Sequence, residues 1–515
     1  MSNLRYPVGE QDFAKIRNEN LVYVDKTEIL YRLVTSRSYY FLSRPRRFGK
    51  SLMLSTLRYY FEGRRELFQG LAIDQLEQQW TVHPVIYLDM SRGKSVDLKS
   101  FHSMMDEMLC ELEDLYCIKA KEQDSYATRL TRIITQAYQQ TGKKVVVLVD
   151  EYDAPLLDST NNEAQLNSIR NFVRDLYSPL KGLASRLRFV MLTGITKFSQ
   201  LSIFSELNNL SNISMEPAFE AICGITEQEM LTQLRSGIEE MAQYQGITYD
   251  ECVGKLKEYY DGYHFSEGLT DIYNPFSLLS ALSAKKLDLH WFGTGTPTWL
   301  LELLKHYKVD LTEMEYIPTS AARFDKPAQQ INDVVPVLYQ SGYLTIKDYD
   351  SGIYVLGIPN KEVRTGLGES LTDYTEPEPL NRKDYLRLAY INLIRQGDLE
   401  GFMARLTNFF HAIPYDISND NERHFQAVLY AVLASFGADI MAEDRTSDGR
   451  ADIVLRLPHD IYVVELKYGK TVDEAMEQLH RKDYAAKWRG DGRTIHLLGM
   501  NIDPATRTID NWRCE

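Results

Sequence analysis

A chain of 515 residues with 44% hydrophobic content has room for roughly three domains with ordinary cores. No apolar run nears the ~20 residues of a membrane span and residues 1–20 lack a signal peptide's apolar segment, so a cytoplasmic location without a membrane partner is expected. The net charge of -14 disfavours non-specific adhesion to nucleic acid, and five scattered cysteines without a C-x-x-C pair argue against a disulfide framework or a zinc site.

Leu21-Val22-Tyr23-Val24 reads as a short strand, and Asp25-Lys26-Thr27-Glu28 as the capped start of a helix. This stretch either lines a nucleotide base or is an ordinary capped helix. Next, Ser38-Tyr39-Tyr40-Phe41-Leu42 is strand-prone, and Leu52, Leu54, Leu57 and Phe61 recur at helical spacing. Between them lies Ser43-Arg44-Pro45-Arg46-Arg47-Phe48-Gly49-Lys50-Ser51. Strand, loop and helix in that order are the context of a phosphate-binding loop, whose backbone N–H groups and helix N-terminus surround a β-phosphate. The nucleotide-binding candidates are Arg44, Arg46, Arg47, Phe48, Gly49, Lys50, Ser51 and Leu52. Lys50 would reach the β- and γ-phosphates, and the Ser51 hydroxyl would ligate magnesium. Arg44 stands where the full pattern has its first Gly, and lacks that residue's freedom at φ > 0.

Pro84 to Asp89 reads as a second strand, and Leu98 to Gln140 as a long helical region. Val145-Val146-Val147-Leu148-Val149 is a run of apolar residues suited to a parallel strand buried on both faces. It ends in Asp150-Glu151, where Asp150 would hold magnesium and Glu151 would polarise the attacking water. Arg188 to Gly194 is a further buried strand, with Thr193 at its tip as the candidate γ-phosphate sensor and Lys197 and Asn208 as weaker ones.

Tyr6-Pro7-Val8-Gly9, Tyr23 to Thr27, Arg44 to Ser51, Val149 to Asp153 and Leu192 to Asn209 resemble the predicted AAA-ATPase-like family of bacterial proteins. That family commonly carries a PD-(D/E)xK nuclease-like domain at its C-terminus. It shares the Arg-Pro-Arg-Arg-Phe-Gly-Lys-Ser form of the loop, so the resemblance makes Arg44 a family trait, and Arg44, Arg46 and Arg47 phosphate contacts.

In the middle of the chain, Thr226 and Glu229 form a capping box, while Asn274-Pro275 and Thr296-Pro297 are helix starts. Val334 to Ser341 reads as a helix stopped by Gly342, followed by a hairpin turning at Asp350-Ser351-Gly352. Helix plus hairpin suggests a winged-helix-like lid, acidic and aromatic enough to favour packing over DNA binding. Glu376-Pro377-Glu378-Pro379 is a linker, and Asp384 to His411 has helical spacing.

At the C-terminal end, Gly449 to Leu455 and Ile461 to Lys467 are strands joined across Pro458-His459. If that turn centres the hairpin, facing positions sum to 917 and Asp452 lies opposite Glu465. Two facing carboxylates repel and ask for a cation, and Lys467 shares their face. This is the chemistry of a metal-dependent phosphodiesterase, with carboxylates holding magnesium and a lysine steadying transition-state charge. Asp452, Glu465 and Lys467 resemble the PD-(D/E)xK motif. The same resemblance implies an acidic ligand at Glu422 and a glutamine at Gln478; Lys482 shares the face of Gln478, and Tyr484 is expected to point elsewhere.

The expected fold is α/β: a P-loop AAA-like ATPase domain with a parallel sheet (1–220), a helical and winged-helix-like lid (221–375), a helical linker (376–415) and a restriction-endonuclease-like α/β domain (416–515). The expected function is ATP binding and hydrolysis whose state controls a C-terminal magnesium- or manganese-dependent nuclease acting on DNA or RNA. The alternative is a nucleotide-dependent switch or scaffold with a non-cleaving, partner-binding nuclease-like domain. Expected partners are the nucleotide, nucleic acid at the C-terminal domain and, as a further candidate, other copies of the chain.

Overall fold

The computed structural model describes residues 4–95, 97–119, 124–159, 163–196, 209–295, 312–324, 333–375, 390, 392–394, 396–412, 421–435, 439–446 and 449–515. The chain divides into two compact units, Met1–Asp288 with Thr319–Val355, and Leu289–Pro318 with Leu356–Glu515. Among the described residues no helix is long and apolar enough to cross a membrane.

The first unit is built on a parallel sheet of β1 (Tyr39–Ser43), β2 (Val85–Asp89), β3 (Val145–Asp150), β4 (Leu187–Gly194) and β5 (Ser211–Asn212), in the order β2-β3-β4-β1-β5. Every residue of β3 is buried, as its uninterrupted apolar run requires of a strand covered on both faces. Each of its valines contributes about 1.5–3 kcal/mol by leaving water. Helices Leu98–Leu115, Tyr126–Thr141 and Glu163–Tyr177 cover one face, through Phe101, Met105, Leu109, Ile133, Ile169 and Val173. The expected long helical region is therefore two helices with a break between them. The expected strand at Leu21–Val24 is also corrected: this stretch is irregular, the Val22 N–H donating to the Arg5 carbonyl, with Val22 and Val24 packed against one apolar cluster and Tyr23 against another. The helix Thr27–Ser36 follows, its start tied by Asp25, whose carboxylate accepts the backbone N–H and hydroxyl of Thr27.

The Thr226 capping box and the Asn274 cap with Pro275 at the first helical turn form as expected, beside a two-strand ladder of β6 (Ile225–Thr226) and β7 (Ile272–Tyr273). Beyond the short β8 (Ile317–Thr319), the helix Val335–Ser341 ends at Gly342 (φ +89°), and β9 (Thr345–Asp350) and β10 (Ile353–Gly357) follow. Ser351 and Gly352 both have positive φ, the twist that a tight hairpin needs. Thr296-Pro297, the linker Glu376 to Pro379, Lys197 and Asn208 lie outside the described residues.

The second unit contains a mixed sheet of β11 (Asp439–Thr446), β12 (Gly449–Arg456), β13 (Asp460–Tyr468), β14 (Thr494–Asp503) and β15 (Thr508–Cys514), in that order. Only β13 and β14 are parallel. A parallel pair needs a crossover, and the helix Val472–Lys482 lies between them in the chain and packs on them through Val472, Met476 and Leu479. The helix Glu422–Ser435 precedes the sheet.

Candidate nucleotide and metal sites

In the first unit β1 runs into the loop at Arg44, and the helix Lys50–Phe61 leaves it. Gly49 caps that helix at φ +93°, which a side chain would resist, and Arg47 also has positive φ. Lys50 is 3% exposed and its ammonium donates to the carbonyls of Arg44 and Pro45, both at 3.0 Å, drawing the loop closed. Ser51 and Leu52 occupy the first helical turn.

The arginines part company. Arg44 is 1% exposed, and its guanidinium donates to the carbonyls of Ser43 (2.9 Å), Ser214 (2.7 Å), Phe219 (3.4 Å) and Glu220 (3.3 Å) while stacking 4.0 Å over Phe265. The expectation that its side chain contacts phosphate is thus corrected: carbonyls already take up the cation. Arg47 is exposed, 4.0 Å over the Phe276 ring, and Arg46 is half-buried. Phe48 is an anchor: its ring packs edge-on against Tyr263 and Phe265, and its carbonyl accepts the Gly224 N–H.

One strand away from β1, across β4, β3 delivers Asp150 and Glu151. Asp150 is held from both neighbouring strands, accepting from Thr193 Oγ1 of β4 (2.7 Å) and from the Tyr87 hydroxyl of β2 (3.2 Å). The Thr193 hydroxyl, expected to sense a γ-phosphate, is therefore turned to Asp150, because β4 lies directly beside β3. Tyr87 is a participant that sequence reading missed; its place became visible only with the strand order. Glu151 sits at φ +46°, and burial raises its carboxyl pKa against the opposing pull of Lys50. Beside Gly49 and Leu52 opens a cleft lined also by Pro7, Tyr23, Lys26 and Gly224. Lys26 is paired at 2.5 Å with Glu229.

In the second unit the β12–β13 ladder pairs Ile453 with Val464 and Val454 with Val463, the register in which positions sum to 917. Glu465 is 1% exposed; its Oε1 accepts from Lys467 Nζ at 2.6 Å, and its buried Oε2 has no hydrogen-bond partner among the described residues. Asp452 accepts the Leu466 N–H at 2.7 Å and a side-chain bond from Gln426. Glu422, at the start of its helix, accepts the Tyr468 N–H at 3.3 Å and lies 3.7 Å from Lys467 Nζ. Lys467 thus stands between Glu465 and Glu422. Among the described residues no three His, Cys, Asp or Glu stand in metal-holding geometry. The chemistry of the donor set nonetheless fits a hard divalent cation: three carboxylates, one with a buried oxygen lacking a partner.

Gln426 was missed, although it follows Glu422 by four residues and so shares its helix face. Gln478 donates to the Tyr484 hydroxyl at 3.2 Å and makes no bond to Asp452, Glu465 or Lys467. That corrects the expectation for Tyr484. The helix stops at Lys482, Asp483 turns the chain at φ +42°, and Tyr484 swings back to Gln478 instead of pointing elsewhere.

Burial raises both hairpin carboxyls, Asp452 to about 6 and Glu465 to about 8, with Glu422 also raising both and Asp452 also raising Glu465. Raised carboxyl values mean that the folded state keeps protons which the unfolded chain releases. Their contribution to stability is present below about pH 4 and is lost as pH rises towards 8. A divalent cation held by these carboxylates would have to displace those protons, so affinity for Mn²⁺ as the probe should climb by up to about tenfold per pH unit between pH 6 and 8. Titration calorimetry across that range checks this, and an affinity indifferent to pH would contradict the proton-loaded site.

Residues 7–204 match the family described as Predicted AAA-ATPase, and residues 420–512 match the PD-(D/E)XK nuclease superfamily. An uncharacterized protein from the vnfD 5' region of Azotobacter chroococcum mcd 1 is 34% identical across 99% of this chain and 98% of its own length. Among solved structures, the Aeropyrum pernix ORC1 protein in complex with DNA matches at 11% identity and TM-score 0.26, over 67% of this chain and 92% of that one. Cdc6p from Pyrobaculum aerophilum matches at 12% identity and TM-score 0.23, over 69% and 93%. The two family matches fall on the two sites in chain order, and a relative aligns from end to end: the chain belongs to the predicted AAA-ATPase family and carries a PD-(D/E)XK nuclease-superfamily domain at its C-terminal end.

Proposed function

We propose that this protein binds and hydrolyses ATP in its first unit and uses the nucleotide state to control a metal-dependent nuclease in its second. The observation that carries the ATPase reading is the strand order, which sets the Lys50 loop and the Asp150-Glu151 pair one strand apart on a parallel sheet. In this reading the loop N–H groups from Arg46 to Ser51 cradle the phosphates and Lys50 leaves its loop carbonyls to meet them. Ser51 and Asp150 hold magnesium, Thr193 steadies Asp150, Glu151 orients water, and the cleft beside Gly49 and Leu52 takes the base. We take the domain limits as 1–220, 221–375, 376–415 and 416–515, with the 221–375 stretch contributing to both compact units.

The nuclease reading is supported by Asp452, Glu465 and Lys467 on one hairpin face with Glu422 beside them. Asp452, Glu465 and Glu422 would hold magnesium or manganese, which when bound polarises the scissile phosphate of DNA or RNA and lowers the pKa of water. Lys467 would turn from Glu465 to the developing negative charge. A non-cleaving scaffold is favoured by one observation, that Lys467 is already paired with Glu465 and Glu422.

The deciding experiment varies metal and ATP independently over supercoiled, linear and single-stranded DNA and RNA. Lys50→Ala should cut ATP turnover at least about tenfold, since it removes the charge that meets the phosphates. It should also remove any effect of ATP on cleavage. Cleavage that ignores both ATP and this substitution would separate the two sites, and no cleavage of any substrate with either metal would favour the scaffold.

A further inference from the structure

Asp153 belongs to no phosphate, metal or water role assigned above, yet it is 0% exposed. Its carboxylate accepts the backbone N–H of Ile195 (3.1 Å), the N–H of Thr196 (2.7 Å) and the Thr196 hydroxyl (2.7 Å). Tyr152 grips the same turn. Its N–H donates to the Thr193 carbonyl and its hydroxyl to the Thr196 carbonyl, both at 2.9 Å, with its ring edge-on to Phe41. Gly194 makes this approach possible: a Cβ there would fall 2.5 Å from Asp153 Oδ1 and 2.6 Å from the Tyr152 ring. On the other side, Asp150 is fixed by Thr193 and Tyr87. Glu151 is thus strung between two anchored ends, and it is the residue left at φ +46°. An L residue holds that conformation only where its surroundings impose it.

We propose that Asp153 and Tyr152 are positioning residues that clamp the Gly194–Thr196 turn and thereby hold Glu151 in the left-handed conformation its role with water requires. This rests on the ATPase reading and deepens it. The Asp-Glu-Tyr-Asp run then divides by function, its first two carboxylates facing the nucleotide chemistry and its last two residues keeping them in place. A carboxylate displaced by an ångström costs about 10²-fold in rate without weakening the grip of the phosphate loop.

The test is steady-state ATP hydrolysis by the full chain, with binding of the β,γ-imido analogue of ATP measured alongside. Asp153→Ala removes the acceptor of all three bonds, Ile195 N–H, Thr196 N–H and Thr196 hydroxyl, and should lower kcat about 10²-fold with analogue affinity held within about threefold. In a Glu151→Gln background it should add less than about a twofold loss, because it acts through Glu151. Should Asp153→Ala not fold, Thr196→Val and Tyr152→Phe remove single bonds of the same clamp, and each should lower kcat with the same non-additivity. An unchanged kcat, or an equal loss with and without Glu151, overturns the inference. Turnover that Lys50→Ala abolishes but the clamp variants leave intact overturns it alone, whereas no turnover in the unmodified protein overturns the ATPase reading as well.

Discussion

Replacing Lys467 with alanine is expected to remove metal-dependent cleavage by at least about 10³-fold, a larger effect than deleting a single neutral hydrogen-bond donor. Two losses combine. The ammonium that would meet the developing phosphate charge disappears, and Glu465 loses the hydrogen-bonded cation that now sits at 2.6 Å from its Oε1. Its other oxygen has no hydrogen-bond partner among the described residues, so burial would hold the carboxyl in its protonated form still more strongly. Lys467→Arg would keep the charge but place a planar fork where a compact ammonium fits between Glu465 and Glu422, and should recover little. Plasmid and oligonucleotide cleavage in magnesium and in manganese measures both variants. Cleavage by Lys467→Ala at the unmodified rate would remove this hairpin from the chemistry.

Arg44→Gly should do the opposite of what the usual phosphate-loop pattern suggests. Installing the missing glycine removes a buried cation that joins four carbonyls from Ser43 to Glu220 and stacks on Phe265. Burial lowers the pKa of Arg44 to about 10, so the group is still charged at neutral pH. A buried network that loses its charged member is destabilised by about 3–5 kcal/mol, most of it the cost of carbonyls left without partners. The melting temperature of the first unit should fall by roughly 10 °C. Thermal unfolding of the full chain with and without ATP checks this. A variant that melts where the unmodified protein does, and binds ATP more tightly, would show that Arg44 is a lesion rather than a brace.

Much of both sites was legible because short-range rules bear on them. The β1 strand, the Lys50 helix and the apolar β3 run ending in Asp150 follow from periodicity and burial, and the hairpin register from the turn at Pro458-His459. Leu21–Val24 misled because a short apolar run specifies a strand only where another strand is there to pair. Tyr484 misled because the helix was extended past Lys482, and nothing local announces that Asp483 will turn left-handed.

What the residues determined by themselves is the kind of chemistry at each site, since a lysine after a glycine at a helix start, or carboxylates and a lysine spaced by two along a strand, can meet few ligands other than phosphate and cations. What only the tertiary structure decided is where each charge is spent. Arg44, Thr193 and Asp153 share the polarity of Arg47, Ser51 and Glu151, and no local pattern separates the two groups. Burial separates them, because a polar side chain carried inside must satisfy the nearest backbone or carboxylate partner, and so Arg44 goes to carbonyls, Thr193 to Asp150 and Asp153 to the turn after β4.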